Sequence, residues 1–528
     1  MNRNQTVIIT ALSIAAFILA LMTANRLWFR LDLTKNKAYT ISKVSRNLHT
    51  EIPDPVNITY YLSNKLKTVT HIPVEIEDTL REYAAYSKGK IRVMVRDPLK
   101  SEIPVDELGL QPRQFPIVEQ DQRSLVTVYS GLVIEYLDKI EVLPWVESTD
   151  TLEYDLTSRI RSMVMDTERR IGIIVADSFR QWREDFSYLD KTLSDAGYRV
   201  RLISAGDEIP DNLPALFVFG GSEDLDPWAL YRIDRYIQQG GKVLFAVKGI
   251  FVDVAGGTIE ARKMADQGLL DMIASYGVTI RPELALDRSA LTLQYQTRLP
   301  SGAVQYRIVR YPMWIGVLKE SGNLQHPVSA SFSGLDLYWA SPLELHPSSD
   351  VETEVLFTST PQGWSMRETF STSPEIPYLF EKDAPETRGT KILGASLKGT
   401  FPSFFAGSEK PVREGSDEKL PDMPLRANPS RILVVGDTDF ATNMMAATTA
   451  NHNLDFLLRA ADWLASDDDI IGIRNRQQHS GRLDRLSEGE KRAAIRFSQI
   501  VNVGLVPLFV IAAGIFLAWK RKTRSQNI

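Results

Sequence analysis

The chain contains no cysteine, which removes disulfide staples, thiolate metal sites, cysteine nucleophiles and dithiol redox chemistry together. An excess of positive charge is also missing. The 61 Lys and Arg residues stand against 66 Asp and Glu, a formal charge of −5. Nucleic-acid binders hold phosphates with surplus Lys and Arg, so no nucleic-acid partner is expected. No G-x-x-x-x-G-K-[ST] run occurs, and with it goes the phosphate loop of an ATPase. H-E-x-x-H and G-x-S-x-G are absent as well, and His49, His71, His326, His346, His452 and His479 follow no metal-ligand spacing. Neither a zinc hydrolase nor a seryl hydrolase is indicated. The expectation is a chain with no catalytic residue, no cofactor and no resident metal.

Long apolar runs are present, and they sit at the two ends. Residues 7–24 read VIITALSIAAFILALMTA and residues 500–519 read IVNVGLVPLFVIAAGIFLAW, both uncharged and both long enough to cross a bilayer as helices. Cleavage of the first run as a signal peptide would need small residues at its last and antepenultimate positions, and Met22 stands where one should be. An uncleaved anchor is therefore expected. Lys520, Arg521, Lys522 and Arg524 follow the second run and, as basic flanks are retained inside, place the C-terminus in the cytoplasm. Two spans return the N-terminus to the same side. The sequence thus predicts a bacterial inner-membrane protein with a large periplasmic or extracytoplasmic middle.

Within that middle, hydrophobic patterning predicts an α/β fold in two parts. Residues 56–62 (VNITYYL) and 91–95 are strand-like, residues 74–87 carry a helical apolar face, and residues 125–129 and 132–136 suggest a hairpin around Ser130-Gly131. This order suits a thioredoxin-like domain without its cysteines, over residues 31–165 after an anchor at 1–30. From 166 to 280 the pattern changes. Runs apolar on both faces at 171–176, 215–219 and 242–247 alternate with helices at 182–196 and 226–239, as in the buried parallel sheet of a Rossmann- or flavodoxin-like doubly wound domain. Residues 281–430 read as an insertion, partly β and partly loop. The domain then ends at 431–475 with one more inner strand (431–436) and a helix (453–464). A linker at 476–499 leads to the second span and basic tail, 500–528.

Chemistry-bearing candidates are few. Asp437 and Asp439 follow the expected inner strand at 431–436, where open α/β sheets place their sites, and paired carboxylates there could hold Mg²⁺ or act as acid and base. The commoner use is structural, one aspartate capping the following turn and the other solvated. Asp177, after the 171–176 strand, has the same two readings. Gly220-Gly221 and Gly240-Gly241 suggest a phosphate cradle, yet each sits where a turn glycine is ordinary.

LDLTKNKAYTIS (31–42), LEYDLTS (152–158), VVGDTDF (434–440) and NLDFLLRAADWL (453–464) together resemble the GldG-type auxiliary components of ABC transport systems, a family named for gliding motility. The resemblance spans nearly the whole chain, the terminal runs included. It implies an extracytoplasmic, non-catalytic subunit working with an ABC-2-type permease and a separate ATPase, in contact with membrane lipid and with an envelope component or exported cargo. It does not imply gliding itself. Tyr39, Tyr154 and Trp463 lie in the matched motifs and read as core aromatics before partner contacts. Two other functions stay open on the residues alone: an envelope ligand-binding sensor using a crevice at the strand ends, and a metal-assisted hydrolase using Asp437 and Asp439.

Overall fold

The computed structural model describes residues 41–465 with Arg496 and Gly514, apart from short internal stretches at 102–103, 106, 120–121, 147, 150, 166–168, 222–224, 255–258, 265–267, 299–300, 330–331 and 414–418. The first apolar run, the second apart from Gly514, Tyr39 and His479 lie outside the described residues. Among those described, no helix is long and apolar enough to cross a membrane.

The fold is mixed α/β. After the short helix α1 (Lys43–Asn47), strand β1 (Val56–Leu62), helix α2 (Ile72–Tyr86) and strand β2 (Ile91–Arg96) follow. Next come β3 (Arg113–Glu119), β4 (Gln122–Val128), β5 (Ser130–Tyr136), β6 (Lys139–Leu143) and helix α3 (Leu152–Met165). The first sheet has the order β2-β1-β5-β6, with β1 parallel to β2 and antiparallel to β5. Ile76, Leu80 and Tyr83 recur at helical spacing in α2 and are buried.

The hairpin expected around Ser130-Gly131 is not there. β4 pairs with β3 in a separate ribbon, while β5 runs on between β1 and β6. Ser130 is held inside, its Oγ donating to the Val146 carbonyl (2.8 Å) and meeting the Tyr60 hydroxyl (2.9 Å). Gly131 is needed for close packing, since a Cβ there would lie 2.8 Å from the Pro144 carbonyl oxygen. The reversal comes one strand later, at Leu137, in the left-handed region at φ 54°.

The larger unit begins with β7 (Arg170–Val175), helix α4 (Ser187–Asp195), β8 (Arg199–Leu202), β9 (Ala215–Phe219), helix α5 (Pro227–Gln238) and β10 (Lys242–Ala246). Asp226 caps α5 by accepting from Ala229 N–H, and Pro227 occupies its first turn. A ribbon of β11 (Ile250–Asp253) and β12 (Glu260–Lys263), helix α6 (Gly268–Ser275), β13 (Val278–Ile280) and β14 (Leu284–Leu286) lead into a long antiparallel pair, β15 (Ala290–Arg298) and β16 (Val304–Val317). There follow β17 (Leu335–Tyr338), β18 (Leu343–Leu345), β19 (Val351–Thr358), β20 (Trp364–Met366), β21 (Ile392–Gly399), β22 (Ser430–Val435) and helix α7 (Asn451–Ala465).

Strands β8, β7, β9, β10 and β22 lie side by side in that order, all parallel. β21 then pairs antiparallel to β22 and carries β18, β13 and β19. Alternate residues of each parallel strand face opposite layers. Ile171, Phe217, Leu244 and Leu433 pack toward α4 and α7, whereas Ile174, Leu216, Val243 and Ile432 pack toward α5 and α6.

Candidate functional site

In an open parallel sheet, ligands bind outside the carboxyl ends of the strands, where the strand order reverses. Here that point lies between β7 and β9. Asp177 stands two residues beyond β7, Gly220-Gly221 directly beyond β9, Lys248 two residues beyond β10, and Asp437 two beyond β22. The topology therefore gathers residues from four separate stretches of chain at one end of the sheet.

These groups satisfy one another. Asp439 forms ion pairs with both Lys248 and Arg180. Asp437 is fully buried; its two carboxylate oxygens accept from the backbone N–H of Tyr338 (2.7 Å) and of Asp439 (2.8 Å), and Lys248 Nζ lies 3.8 Å away. Asp177 accepts from Arg180 Nε (3.2 Å) and from Gly221 N–H (2.7 Å). Gly220 has φ 81°, and a Cβ there would fall 2.2 Å from the Asp177 carboxylate, so only glycine fits. The amide that a phosphate cradle would use donates instead to the chain's own carboxylate.

Three carboxylates face two cations, and burial decides how that imbalance is resolved. Desolvation pushes Asp437 up to about 7, against the pull of Lys248. Burial also raises Asp177, more than Arg180 and the Gly221 amide lower it. Asp439 is just as buried, yet two contacting cations, Lys248 first and then Arg180, hold it below the usual carboxylate range. The cluster thus keeps one strongly ionised member and two with raised affinity for protons. The cavity left beside it, walled by Phe179, Phe251 and Gly220 among others, measures about 20 Å³, room for roughly one water.

Of the two sequence candidates, Asp437 makes the aspartate turn. Asp439 differs from the solvated residue expected of a structural aspartate here, being 4% exposed because it is the counter-ion of the buried Lys248 and the half-buried Arg180. Neither carboxylate presents a free pair of oxygens to a divalent ion. Among the described residues, no cluster of three or more His, Asp or Glu is arranged for a metal. Arg180 and Lys248 were not singled out by sequence reasoning. The available signal was a lone cation just past a buried strand, as in AVKG (246–249). Gly240-Gly241 lies between α5 and β10, away from these carboxyl ends.

A family model described as an ABC-type uncharacterized transport system matches residues 168–460, more than half of the chain. The chain belongs to this family. The family is that of an auxiliary component of ABC-type transport, and its match covers the whole parallel sheet with its carboxyl-end cluster. A second model, a domain of unknown function, matches residues 35–135, most of the first sheet. A relative from Borreliella burgdorferi described as an uncharacterized protein is 26% identical over 556 residues, covering 99% of this chain and 100% of its own. Among solved structures, the mmIFT52 N-terminal domain shares 12% identity at a TM-score of 0.33, covering 56% of this chain and 98% of that one. A ThuA-like protein from Parabacteroides merdae shares 10% identity at a TM-score of 0.24, with 56% and 90% covered. At such scores neither likeness bears on fold or function.

The motif residues within the family match and before it have structural work that the geometry displays. Glu153, 2% exposed, accepts from Ser42 N–H (2.7 Å) and Ser45 Oγ (2.6 Å), fastening the start of the described chain to α3. Asn453 bonds the backbone of Asp336 in both directions (2.9 Å each) and the carbonyl of Phe440 (2.9 Å), tying α7 to β17 and to the turn after β22. Tyr154 and Trp463 are buried at 1% and 6% exposure. Trp463 packs against His326 with the rings tilted by 60° and their centroids 5.0 Å apart, and the imidazole pKa is lowered to about 4 by burial and by Arg431.

Proposed function

We propose that this protein is a non-catalytic, membrane-anchored auxiliary subunit of GldG type, its domains extracytoplasmic, working with an ABC-2-type permease and a separate ATPase. The observation that carries the reading is the family match over residues 168–460. The apolar runs at 7–24 and 500–519 support anchoring, and two spans are too few to enclose a transport path. The absence of a phosphate loop in the sequence leaves ATP hydrolysis to a partner. We read the first sheet, with its parallel β1/β2 pair and antiparallel β5 and β6, as thioredoxin-like. The five parallel strands read as flavodoxin-like, carrying a long insertion before β22.

The carboxyl-end cluster fits this reading better than hydrolysis. Lys248 and Arg180 occupy the Asp439 oxygens that a metal or a water nucleophile would need. Its role is to lock the strand ends together and present a fixed surface. The test is affinity capture of the tagged full-length protein from its own membranes in mild detergent, beside a variant lacking residues 1–30 and 500–528. Recovery of a permease and an ATPase with the full chain, and their loss with the variant, is the expected result. Recovery of neither with the full chain overturns the proposal.

A further inference from the structure

Strands β15 and β16 form a ribbon whose register runs from Leu291 opposite Tyr311 to Arg298 opposite Val304. Its base is anchored, since Tyr311 and Leu291 pack into the core that holds Trp314, Trp339 and Trp364. Farther out, the eight successive residues Ser301–Ile308 are exposed, so no element covers either face of β16 there. The outer edge of β16 is open over the same stretch. β17 pairs with that edge only over Trp314–Val317, and Trp339 N–H reaches the Met313 carbonyl (2.9 Å). Among the described residues, no strand pairs with it from Val304 to Arg310.

The side chains along this edge are apolar where an unpaired strand is usually blunted with charge or proline. Val304, Tyr306 and Ile308 alternate onto one face and are 51%, 62% and 71% exposed. Opposite Tyr306 and Ile308 on β15 stand Gln296 and Gln294, and Gln296 Nε2 donates to the Tyr306 hydroxyl (3.1 Å). The apolar stripe therefore lies on the open-edge side of the ribbon, with polar side chains on its inner side. Whatever covers it must come alongside the edge as another strand, the mode by which sheets take up extended segments.

We propose that the occupant is the same edge of a second copy, β16 against β16, antiparallel about a two-fold axis at Tyr306. Read against itself in that register, Val304 meets Ile308, Tyr306 meets Tyr306, Gln305 meets Arg307 and Arg310 meets Gly302. All three apolar residues find apolar partners and no two arginines are opposed, as a self-complementary two-fold contact requires. Centring the pair one residue later sets Arg307 against Arg307 and Val304 against Arg310. Centring it one residue earlier sets Ile308 against Gly302. The pairing turns a two-stranded ribbon, marginal in water on its own, into a four-stranded sheet. One strand edge falls short of the roughly 1,200 Å² that a stable interface buries, so the contact is weak in dilute solution and gains from holding both copies in one membrane. That gain rests on the anchoring proposed above, whereas the register does not.

The chain has no cysteine, so an introduced thiol reports a single position. Membranes carrying the full-length protein are oxidised with copper phenanthroline, and dimers are read on non-reducing gels. Tyr306→Cys should cross-link to its own copy, because opposed residues of an antiparallel pair have Cα atoms about 4.5–5.5 Å apart, within disulfide reach. Val304→Cys and Ile308→Cys each fall about 13 Å from their own copy and should stay monomeric alone. They should cross-link to each other when two differently tagged chains are made together. Gln294→Cys, on the same face but one strand inward, should give at least about tenfold less dimer than Tyr306→Cys. These positions are exposed, so a melting midpoint equal to that of the parent chain shows that the fold is kept. No dimer at Tyr306→Cys, dimers at Val304→Cys or Ile308→Cys alone, or equal yields at every position would overturn the proposal. So would a Tyr306→Cys adduct with a different protein in place of the second copy. Recovery of the chain outside the membrane would count against anchoring alone, since the same cross-links are then read in concentrated solution.

Discussion

Replacing Lys248 by methionine preserves most of the side chain's volume and removes its charge from between two buried aspartates. Lys248 is 8% exposed, pairs with Asp439, lies 3.8 Å from Asp437 and is held over the Trp339 ring at 5.6 Å. At 3.8 Å and an effective dielectric constant of about 20, the Asp437 attraction alone is about 4 kcal/mol. Breaking a buried pair on one side typically costs about 3–5 kcal/mol, because the remaining charge is stranded. Asp439 keeps Arg180, so about 3 kcal/mol is expected, more than a hundredfold in the unfolding equilibrium. The pH dependence follows from the two carboxyls. Asp439, held below the usual range, contributes stability present above about pH 4 and lost as the pH falls through its folded value. Asp437, pushed up to about 7, contributes stability present below about pH 4 and lost as the pH rises through 7. Without Lys248 both groups bind protons more readily, so the gap between wild type and variant is widest near pH 8 and narrows toward pH 5, by up to about 1.4 kcal/mol per unit for each proton taken up. Urea midpoints of the full-length protein in detergent, followed by proteolysis of the parallel-sheet unit, read this directly. A cost below about 1 kcal/mol at pH 8, or a gap that does not change with pH, would refute the buried-pair account. Lys248→Met combined with Asp439→Asn should recover part of the loss.

Gly220→Ala places a Cβ on the Asp177 carboxylate at a positive φ; it should cost about 1–3 kcal/mol in backbone strain and the displacement of that carboxylate besides, seen as a lower urea midpoint, whereas Gly302→Ala, at a similar φ of 83° but with open space around it, should cost the strain alone. Glu153→Ala removes the acceptor of Ser42 and Ser45 at about 3 kcal/mol; limited proteolysis should then cut within residues 41–50 faster, and an unchanged cutting rate would contradict the fastening role. His326 is neutral when folded, its value lowered to about 4 by burial. Its contribution is therefore complete above the unfolded value near 6.5 and is lost as the pH falls toward 4, amounting to about 3 kcal/mol. His326→Asn should flatten the stability profile between pH 7 and pH 5, and an identical slope in both proteins would rule that out.

The strands that run apolar on both faces were readable in the sequence, because a buried parallel strand leaves no polar alternation: ILVV at 432–435 and ALFVF at 215–219 are strands in the structure. Helices α2 and α5 were readable for the related reason that their apolar faces recur at 3.6 residues. Strand β3 and the true partner of β5 were not, because pairing between segments of similar pattern is decided by contacts such as Ser130 with Val146, which lie outside any local window. The carboxyl-end cluster was half visible. Asp437 and Asp439 stood out as a motif, but their cations come from positions 180 and 248. Nothing in either local sequence says that the two will meet the aspartates.

The fifth parallel strand, β22, registers against β10 with Val243 opposite Ile432, yet residues 247–429 intervene. While the chain is being made, β10 is therefore an open sheet edge for as long as that stretch takes to synthesise. Unpaired edges attract the wrong strands. The intervening residues supply a temporary shield only if they fold first, and their own core, built on Trp314, Trp339 and Trp364, allows it. Folding order therefore matters to this chain: an inserted layer that matures early covers the edge that β22 later closes.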